Sequence, residues 1–241
     1  QASVEGYAPL RTRGWNATEI LVADPDGLAA RLRGSPFRIV GEPRPLSMNP
    51  DIRAMQVVGP ANELLYLTRI PPGKSAFNLG SAKTDVDRVF IVVLGGADVA
   101  AMLDFYRSRF ALSVREPSPA RVGVLNEAYG LPPEHEIQLA IVRLPQSFLI
   151  EVDGYPAEAI ERPVPPGELP PGMAMVSFEI AALDSVDLEF LRPPRNFMSA
   201  PYDGRRAAVT RGAAGELIEL IESGNGAELL EEAEELEERE D

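Results

Sequence analysis

The stretch IVVLGGADVAAMLDFYRSRFAL, residues 91–112, starts as an apolar strand, reaches Asp98 and continues with apolar residues at helical spacing. Asp98 stands where a helix N-cap is expected, because its carboxylate can accept a hydrogen bond from an unpaired N–H of the first turn. The apolar positions that follow recur as on one face of a helix: Val99, Met102, Leu103, Tyr106 and Phe110. The stretch therefore predicts a strand that leads into an N-capped helix.

The same opening occurs twice more, as ATEILVAD at 17–24 and SFEIAALD at 177–184. Each copy is followed by strand-like runs, and the last run has a recurring form: NELLYLTR at 62–69, SFLIEVDG at 147–154 and GELIELIE at 215–222. Such self-similarity predicts a repeated supersecondary unit. We predict an α+β fold in which repeated βαβββ units form curved mixed sheets around a cavity.

Segments rich in proline, glycine and polar residues separate the units. We place βαβββ units at 15–70, 88–155 and 173–223, linkers at 71–87 and 156–172, and an acidic tail at 224–241. Because such units are expected to pair, an even number is expected, and three leave one unit without a partner. We therefore interpret residues 1–14 as the remnant strand of a further unit.

Composition limits the classes of function. The net charge is −14, of which residues 223–241 carry −8, with nine acids against one arginine. A chain this acidic is a poor nucleic-acid binder, since phosphate binding needs a concentrated basic surface. No apolar stretch is long enough to span a membrane, and the chain has no cysteine, which excludes disulfides, thiolate metal sites and cysteine nucleophiles. We expect a cytoplasmic protein.

These repeats resemble the vicinal oxygen chelate superfamily, which includes glyoxalase I, extradiol dioxygenases and bleomycin-resistance proteins. Residues 91–112 carry the most specific match, and the closing strands LLYL, LIEV and LIEL match the last strand of the family's unit. Where the family commonly has Leu-Gly-Leu after the helix, this chain has Phe110, Ala111 and Leu112. The resemblance covers residues 15–223 and implies the fold more strongly than any one activity.

In this family, metal ligands come from the start of the opening strand, usually His, and from the polar position of the closing strand, usually Glu. The resemblance places these at Ala17, Ile91 and Ser177, and at Tyr66, Glu151 and Glu219. None of the opening positions is a histidine, and imidazole supplies much of the affinity of such sites. We therefore predict no metal ligands and no cofactor. An Mg²⁺ or Mn²⁺ site built on the two glutamates is the alternative.

The family's pairing implies that the second and third units enclose Ile91, Glu151, Ser177 and Glu219. Two carboxyl groups facing one cavity share a proton, which raises the pKa of one of them and suits acid–base catalysis. We predict Glu151 and Glu219 as catalytic. The competing interpretation gives each glutamate an ordinary structural hydrogen bond or ion pair.

Four other side chains complete the predicted site. Tyr66 fills the polar position of the first closing strand, and His135 is the sole histidine, so both are candidate catalytic residues, although a buried tyrosine and an exposed loop histidine are the alternatives. Asn126 and Tyr129 lie in an insertion at 124–137 that we expect to be irregular and to cap the cavity. With Ile91 and Ser177, they are the predicted substrate-binding residues.

We predict a small-molecule enzyme, a metal-independent lyase, isomerase or decarboxylase acting on an apolar or aromatic substrate, as in the catabolism of aromatic compounds. A metal-dependent glyoxalase- or dioxygenase-type enzyme with a degenerate site is one alternative. A non-catalytic, resistance-type protein that sequesters its ligand is the other. The expected partner is a small molecule, with neither nucleic acid nor membrane, and a homodimer is left open.

Overall fold

The computed structural model describes residues 6–75 and 77–224. The first repeat holds β1 (Gly14–Val22), α1 (Pro25–Leu32), β2 (Arg38–Pro45), β3 (Arg53–Val58) and β4 (Leu64–Arg69). The second holds β5 (Val86–Gly96), α2 (Val99–Phe110), β6 (Val114–Ala120), α3 (Gly123–Tyr129), β7 (Ile137–Leu144) and β8 (Phe148–Gly154). The third holds β9 (Met175–Ile180), β10 (Arg195–Asn196), β11 (Arg206–Arg211) and β12 (Leu217–Glu222).

The first two units open their helices as the sequence predicts. Asp24 accepts a hydrogen bond from the Asp26 N–H at 3.1 Å before α1, and Asp98 accepts one from the Ala101 N–H at 2.9 Å before α2. Proline at the first position of α1 suits a helix start, because that N–H would have no partner inside the helix. The third unit has only a 3₁₀ turn, Leu183–Ser185, where its helix is expected.

Two of the units share one eight-stranded sheet, with the strand order β2-β3-β4-β1-β5-β8-β7-β6. Its centre is the antiparallel pairing of β1 with β5, the opening strands of the two units. Within each unit the opening strand pairs in parallel with the closing strand, β1 with β4 and β5 with β8. The first and second units therefore form one continuous curved sheet.

The third unit forms a separate four-stranded sheet, with the order β10-β11-β12-β9. The prediction that the second and third units pair around a common cavity is wrong, because β5 pairs with β1 instead of β9. The sequence contains three similar opening strands and does not show which two of them meet. The four-stranded sheet packs on the outer face of the second unit and α2, through a cluster that includes Leu94, Met102, Leu183 and Ile218.

The core falls into three clusters. The largest fills the concave face of the eight-stranded sheet, which we call the cup. It includes Ala17, Tyr66, Ile91 and Leu149 from four adjacent strands. The second cluster joins the two sheets, and the third packs α1 on the outer face of the first unit. The curved mixed sheets confirm the predicted α+β fold.

Some predicted segments fall partly or wholly outside the described residues. The tail at 224–241 is described only at Gly224, and of the proposed remnant strand only residues 6–14 are described. There, residues 6–13 form turns and one isolated bridge, from Thr12 to Ile160. Among the helices of residues 6–75 and 77–224, none has the length and apolar composition needed to cross a membrane.

Candidate active site

The cup contains three carboxyl groups on two strands. Glu19 lies on β1, two residues from Ala17 and therefore on the same face, since side chains alternate along a strand. Glu151 and Asp153 lie on β8 and share the face of Leu149 for the same reason. Asp153 is fully buried, Glu19 is 8% exposed, and Glu151 is half-buried. The fold thus gathers three acids in a largely apolar interior.

The hydrogen bonding of these acids is sparse. Glu19 accepts a hydrogen bond from the Thr68 hydroxyl at 3.2 Å. Neither carboxyl oxygen of Asp153 has a hydrogen-bond partner. A buried polar group without a partner costs about 1–3 kcal/mol, and a charged one costs more. The missing partner of Asp153 would be supplied by a proton that it shares with a neighbouring acid or by a bound ligand.

Burial and mutual repulsion change the acidity of all three groups. Burial raises the pKa of Glu151 to about 7. Burial raises the pKa of Glu19 well above its ordinary value, and the nearby Glu151 raises it further. The pKa of Asp153 is raised well above its ordinary value by burial first, and then by Glu151 and Glu19. At neutral pH the cluster therefore holds protons that exposed carboxylates would release.

Two buried phenols adjoin the acids. Tyr66 on β4 is the register neighbour of Glu19 on β1, and Tyr155 follows the end of β8. Both are about 95% buried, and neither hydroxyl has a hydrogen-bond partner. Burial raises the pKa of both phenols, and repulsion from Asp153 is the next cause. Both tyrosines therefore stay protonated at neutral pH and can donate a hydrogen bond.

The insertion at 124–137 covers the cup, but it is not irregular. Its first half is α3, whose Val124 and Leu125 belong to the buried cluster of the cup. The prediction of an irregular loop is wrong here, because Gly130 in the left-handed conformation ends a short helix instead. Tyr129, at the end of α3, packs edge-on against Tyr155 with 6.2 Å between ring centroids.

Asn126 and His135 occupy different positions from those predicted. Asn126 is buried, and its amide donates to the His135 backbone carbonyl at 2.9 Å and to Pro133 at 3.4 Å, so it shapes the turn after α3. The residue His135 is exposed on the surface. Neither side chain is placed to contact the carboxyl groups of the cup, and we assign no catalytic role to His135.

Glu219 lies outside the cup. It is on β12 of the four-stranded sheet, where it accepts hydrogen bonds from Ser177 Oγ at 2.5 Å and from Tyr202 Oη at 2.7 Å. The prediction that Glu219 and Ser177 share a cavity with Glu151 and Ile91 is therefore wrong. The two glutamates occupy equivalent repeat positions in different sheets.

The donor set of the cup does not fit the metal site that the family resemblance implies. The expected ligand positions of the opening strands, Ala17 and Ile91, are apolar. Over residues 6–75 and 77–224, no group of three or more His, Cys, Asp or Glu side chains is arranged to hold a metal ion. The predicted alternative, Mg²⁺ or Mn²⁺ on Glu151 and Glu219, fails because those residues lie on different sheets.

Sequence reasoning missed Glu19, Asp153 and Tyr155. A signal for two of them was available, because Glu19 follows Ala17 by two residues and Asp153 follows Glu151 by two. Alternation along a strand puts each on the same face as the position already considered. Tyr155 carried no such signal, since it is the last residue of the predicted second unit and lies just beyond β8.

Comparison with solved structures gives the fold a name. The chain aligns with glyoxalase I from Zea mays over 92% of its length and 71% of that chain, with a TM-score of 0.60 and 13% identity. It aligns with a putative dioxygenase from Bacillus subtilis over 88% of its length and 62% of that chain, with a TM-score of 0.52 and 12% identity. The chain has the vicinal oxygen chelate fold. No family model and no curated protein matches it by sequence.

This fold confirms the resemblance seen in the repeats. Sequence identities of 12–14% establish the fold and no particular activity. A variant of the maize glyoxalase I aligns over 96% of this chain and 75% of that one, with a TM-score of 0.58 and 14% identity. The fold is therefore shared, while the polar groups in the cup must be interpreted from this chain.

Proposed function

We propose that this protein is an enzyme that moves a proton on a small, largely apolar or aromatic molecule without using a metal. Its reaction would be that of a lyase, isomerase or decarboxylase. The observation that supports this is the cluster of Glu19, Glu151 and Asp153 beside two protonated phenols in the cup. The cytoplasmic location stays a prediction.

Glu151 is the proposed base, because a pKa of about 7 balances the two protonation states at neutral pH. Once ionised, it can take a proton from a carbon atom next to a carbonyl group. Tyr66 or Tyr155 would donate a hydrogen bond to the oxygen on which negative charge develops. Glu19 and Asp153, held protonated by burial, can return a proton to the product.

The apolar wall of the cup sets the substrate class. Around the acids it presents branched aliphatic side chains: Ile91, Val93, Leu139, Ile141 and Leu149. Such a wall favours an apolar or aromatic body with one polar group directed at the acids. Ile91 and Tyr129 are the two predicted substrate-binding residues that we retain. Ser177 lies in the other sheet, and the amide of Asn126 is bonded to the turn after α3.

The test is proton exchange in heavy water. A panel of aryl ketones and aromatic 2-oxo acids is incubated with the protein in D₂O, and NMR detects loss of the C–H signal next to the carbonyl. For a molecule that exchanges, we expect E151Q to lower kcat by about 10²–10⁴-fold, the range for general acid–base catalysis. E219Q is the matched control, in the same repeat position of the other sheet, and should retain activity within about twofold of wild type.

Three outcomes contradict the proposal. A ligand that binds to wild type without exchange or product would favour the sequestering protein. Loss of activity on chelation, with recovery on adding a divalent metal, would favour the metal-dependent enzyme. Loss of activity in E219Q but not in E151Q would place the site in the third unit.

A further inference from the structure

A cleft of about 540 Å³ lies where the linker after β8 meets the start of β1 and the turn between β11 and β12. Cavities of this size are typical of small-molecule sites. Three arginines from separate segments line it: Arg13 just before β1, Arg162 in the linker and Arg211 at the end of β11. We call it the arginine cleft. The residues that line it do not include the three acids of the cup, so it is distinct from the candidate active site.

Arg162 carries a buried positive charge that no carboxylate among the described residues balances. Its guanidinium donates to four uncharged groups: the Thr12 hydroxyl and the backbone carbonyls of Trp15, Pro171 and Met173. These bonds leave one of its five N–H groups without a partner. Burial lowers the pKa of Arg162. Because a charge removed from water is normally paired, we expect its counter-charge to come from a ligand.

The other two arginines are also weakly compensated. The Nε of Arg13 is buried and has no hydrogen-bond partner in the described part of the chain. Arg13 lies 3.8 Å from the Glu161 carboxylate, whose side chain is 90% exposed, and such a surface ion pair contributes little. Arg211 donates to the Gly215 backbone carbonyl at 3.2 Å, which is an uncharged acceptor. Both guanidiniums therefore keep N–H groups that a ligand can use.

The acids of the arginine cleft do not cancel this positive charge. Glu161 is exposed to water, which screens its charge. Glu216 accepts hydrogen bonds from the Tyr106 hydroxyl at 3.0 Å and the Ala214 N–H at 2.9 Å. Burial raises the pKa of Glu216 to about 7, so it is only partly ionised at neutral pH. On a chain whose net charge is −14, the arginine cleft is a local concentration of positive charge.

We propose that the arginine cleft binds a small organic anion that carries two or more carboxylate or phosphate groups. The planar fork of a guanidinium matches the paired oxygens of either group. More than one such group is required because the three guanidiniums belong to three separate segments. The wall between them is partly apolar, with Val164 and Pro170, which suits a short carbon skeleton.

A bound anion would link the two sheets. Arg13 directly precedes β1 of the eight-stranded sheet, and Arg211 is the last residue of β11 in the four-stranded sheet. A ligand held by both arginines would stabilise the docking of one sheet on the other. This inference is independent of the proposed function, because it rests on no residue to which the proposed reaction assigns a role. Either proposal can fail while the other stands.

The first measurement uses the unmodified 241-residue chain and its sole tryptophan, Trp15, which lines the arginine cleft. The protein is titrated with succinate, citrate, inorganic phosphate and pyrophosphate, each at constant ionic strength set with NaCl. We expect a saturable change in Trp15 fluorescence with at least one of these anions. The same anion should raise Tm, because a ligand that binds only the folded state stabilises it.

The second measurement compares two double variants with the same change in net charge. R13Q/R211Q removes two arginines of the cleft and keeps Arg162, whose hydrogen bonds hold the linker. We expect its Kd for the anion to rise by at least about tenfold, since charge-assisted hydrogen bonds are the strong ones. The matched control is R38Q/R69Q, two exposed arginines of the first unit, which should retain the wild-type Kd within about twofold.

The third measurement needs no substitution. Phenylglyoxal modifies accessible arginine side chains of the wild-type protein, and mass spectrometry of its peptides locates the modified residues. The bound anion should slow modification of Arg13 and Arg211 and leave that of Arg38 and Arg69 unchanged. This result decides the matter if R13Q/R211Q fails to fold, as judged by circular dichroism.

Saturable binding that R13Q/R211Q weakens and R38Q/R69Q does not supports the proposal. Saturation by succinate or citrate alone would identify the ligand as a polycarboxylate, and saturation by the phosphates alone would identify it as an organic phosphate. The proposal is overturned if no anion at about 10 mM changes fluorescence or Tm beyond NaCl of equal ionic strength, since a site with a Kd of about 1 mM would then be mostly filled. Equal weakening in both double variants, or equal protection of all four arginines, also overturns it, because the binding is then non-specific.

Discussion

At the level of single residues, the burial of Glu151 links the stability of the protein to pH. Its pKa is about 7 in the folded state, against 4.5 for the unperturbed group. Between these values the folded protein holds a proton that the unfolded chain has released. The free energy of unfolding therefore falls as pH rises from about 4.5 to 7, by roughly 3 kcal/mol for this group. In E151Q the free energy of unfolding should decrease much less between pH 5 and pH 8, as measured by urea unfolding.

Glu216 provides an independent check at the same scale. It is buried just before β12 of the four-stranded sheet, accepts a hydrogen bond from the Tyr106 hydroxyl at 3.0 Å, and has a pKa raised to about 7, chiefly by burial. E216Q should therefore flatten the same pH dependence. Because Glu216 precedes β12 of the four-stranded sheet and Glu151 lies on β8 of the other sheet, the two effects should add in the double variant. A wild-type slope in both single variants would contradict the assignment of these groups.

At the level of elements, the N-cap of α2 is a testable source of stability. Asp98 satisfies one N–H of the first turn, and the helix then packs Met102, Leu103 and Tyr106 between the two sheets. D98A should lower the free energy of unfolding by about 1 kcal/mol, whereas D98S should retain most of it, since serine also caps. Urea unfolding measures both. Equal stability of the two variants would show that the cap contributes little.

The sequence predicted those helices and strands whose start and end depend on residues close by in the chain. Asp24 and Asp98 start helices where the sequence places them, because capping depends on neighbours within three residues. The pairing of β1 with β5 depends on contacts between distant parts of the chain, and three similar openings leave that choice open. The same choice decided the site, since it put Glu219 in the other sheet and brought Glu19 and Tyr66 of the first unit into the sheet that contains Glu151.

At the level of the whole molecule, Arg162 joins the linker to β1 and to the segment that leads into β9. Its guanidinium donates to the backbone carbonyls of Trp15, Pro171 and Met173 and to the Thr12 hydroxyl. In R162K a single ammonium replaces this planar fork and cannot reach all four acceptors. We expect a loss of roughly 2–3 kcal/mol, since a net hydrogen bond contributes about 0.5–1.5 kcal/mol.

The readout for R162K is the sole tryptophan, Trp15, whose indole donates to the Leu217 carbonyl of the four-stranded sheet at 2.7 Å. Its fluorescence therefore reports the docking of that sheet. In R162K the fluorescence transition in urea should precede the loss of circular dichroism. In wild type the two should coincide, and coincidence in the variant at the wild-type midpoint would contradict the role of Arg162.

The two halves of the cup are related by repetition but differ in chemistry. The repeat position of Glu19 in the first unit is held by Val93 in the second, and that of Asp153 in the second is held by Thr68 in the first. A cup with identical halves would accept a ligand in two orientations related by half a turn. Here a ligand bound in the reversed orientation would meet Val93 in place of Glu19 and Thr68 in place of Asp153. Under the proposed function, the duplicated scaffold would provide a single direction of binding, which is the condition for treating two similar faces of one molecule differently.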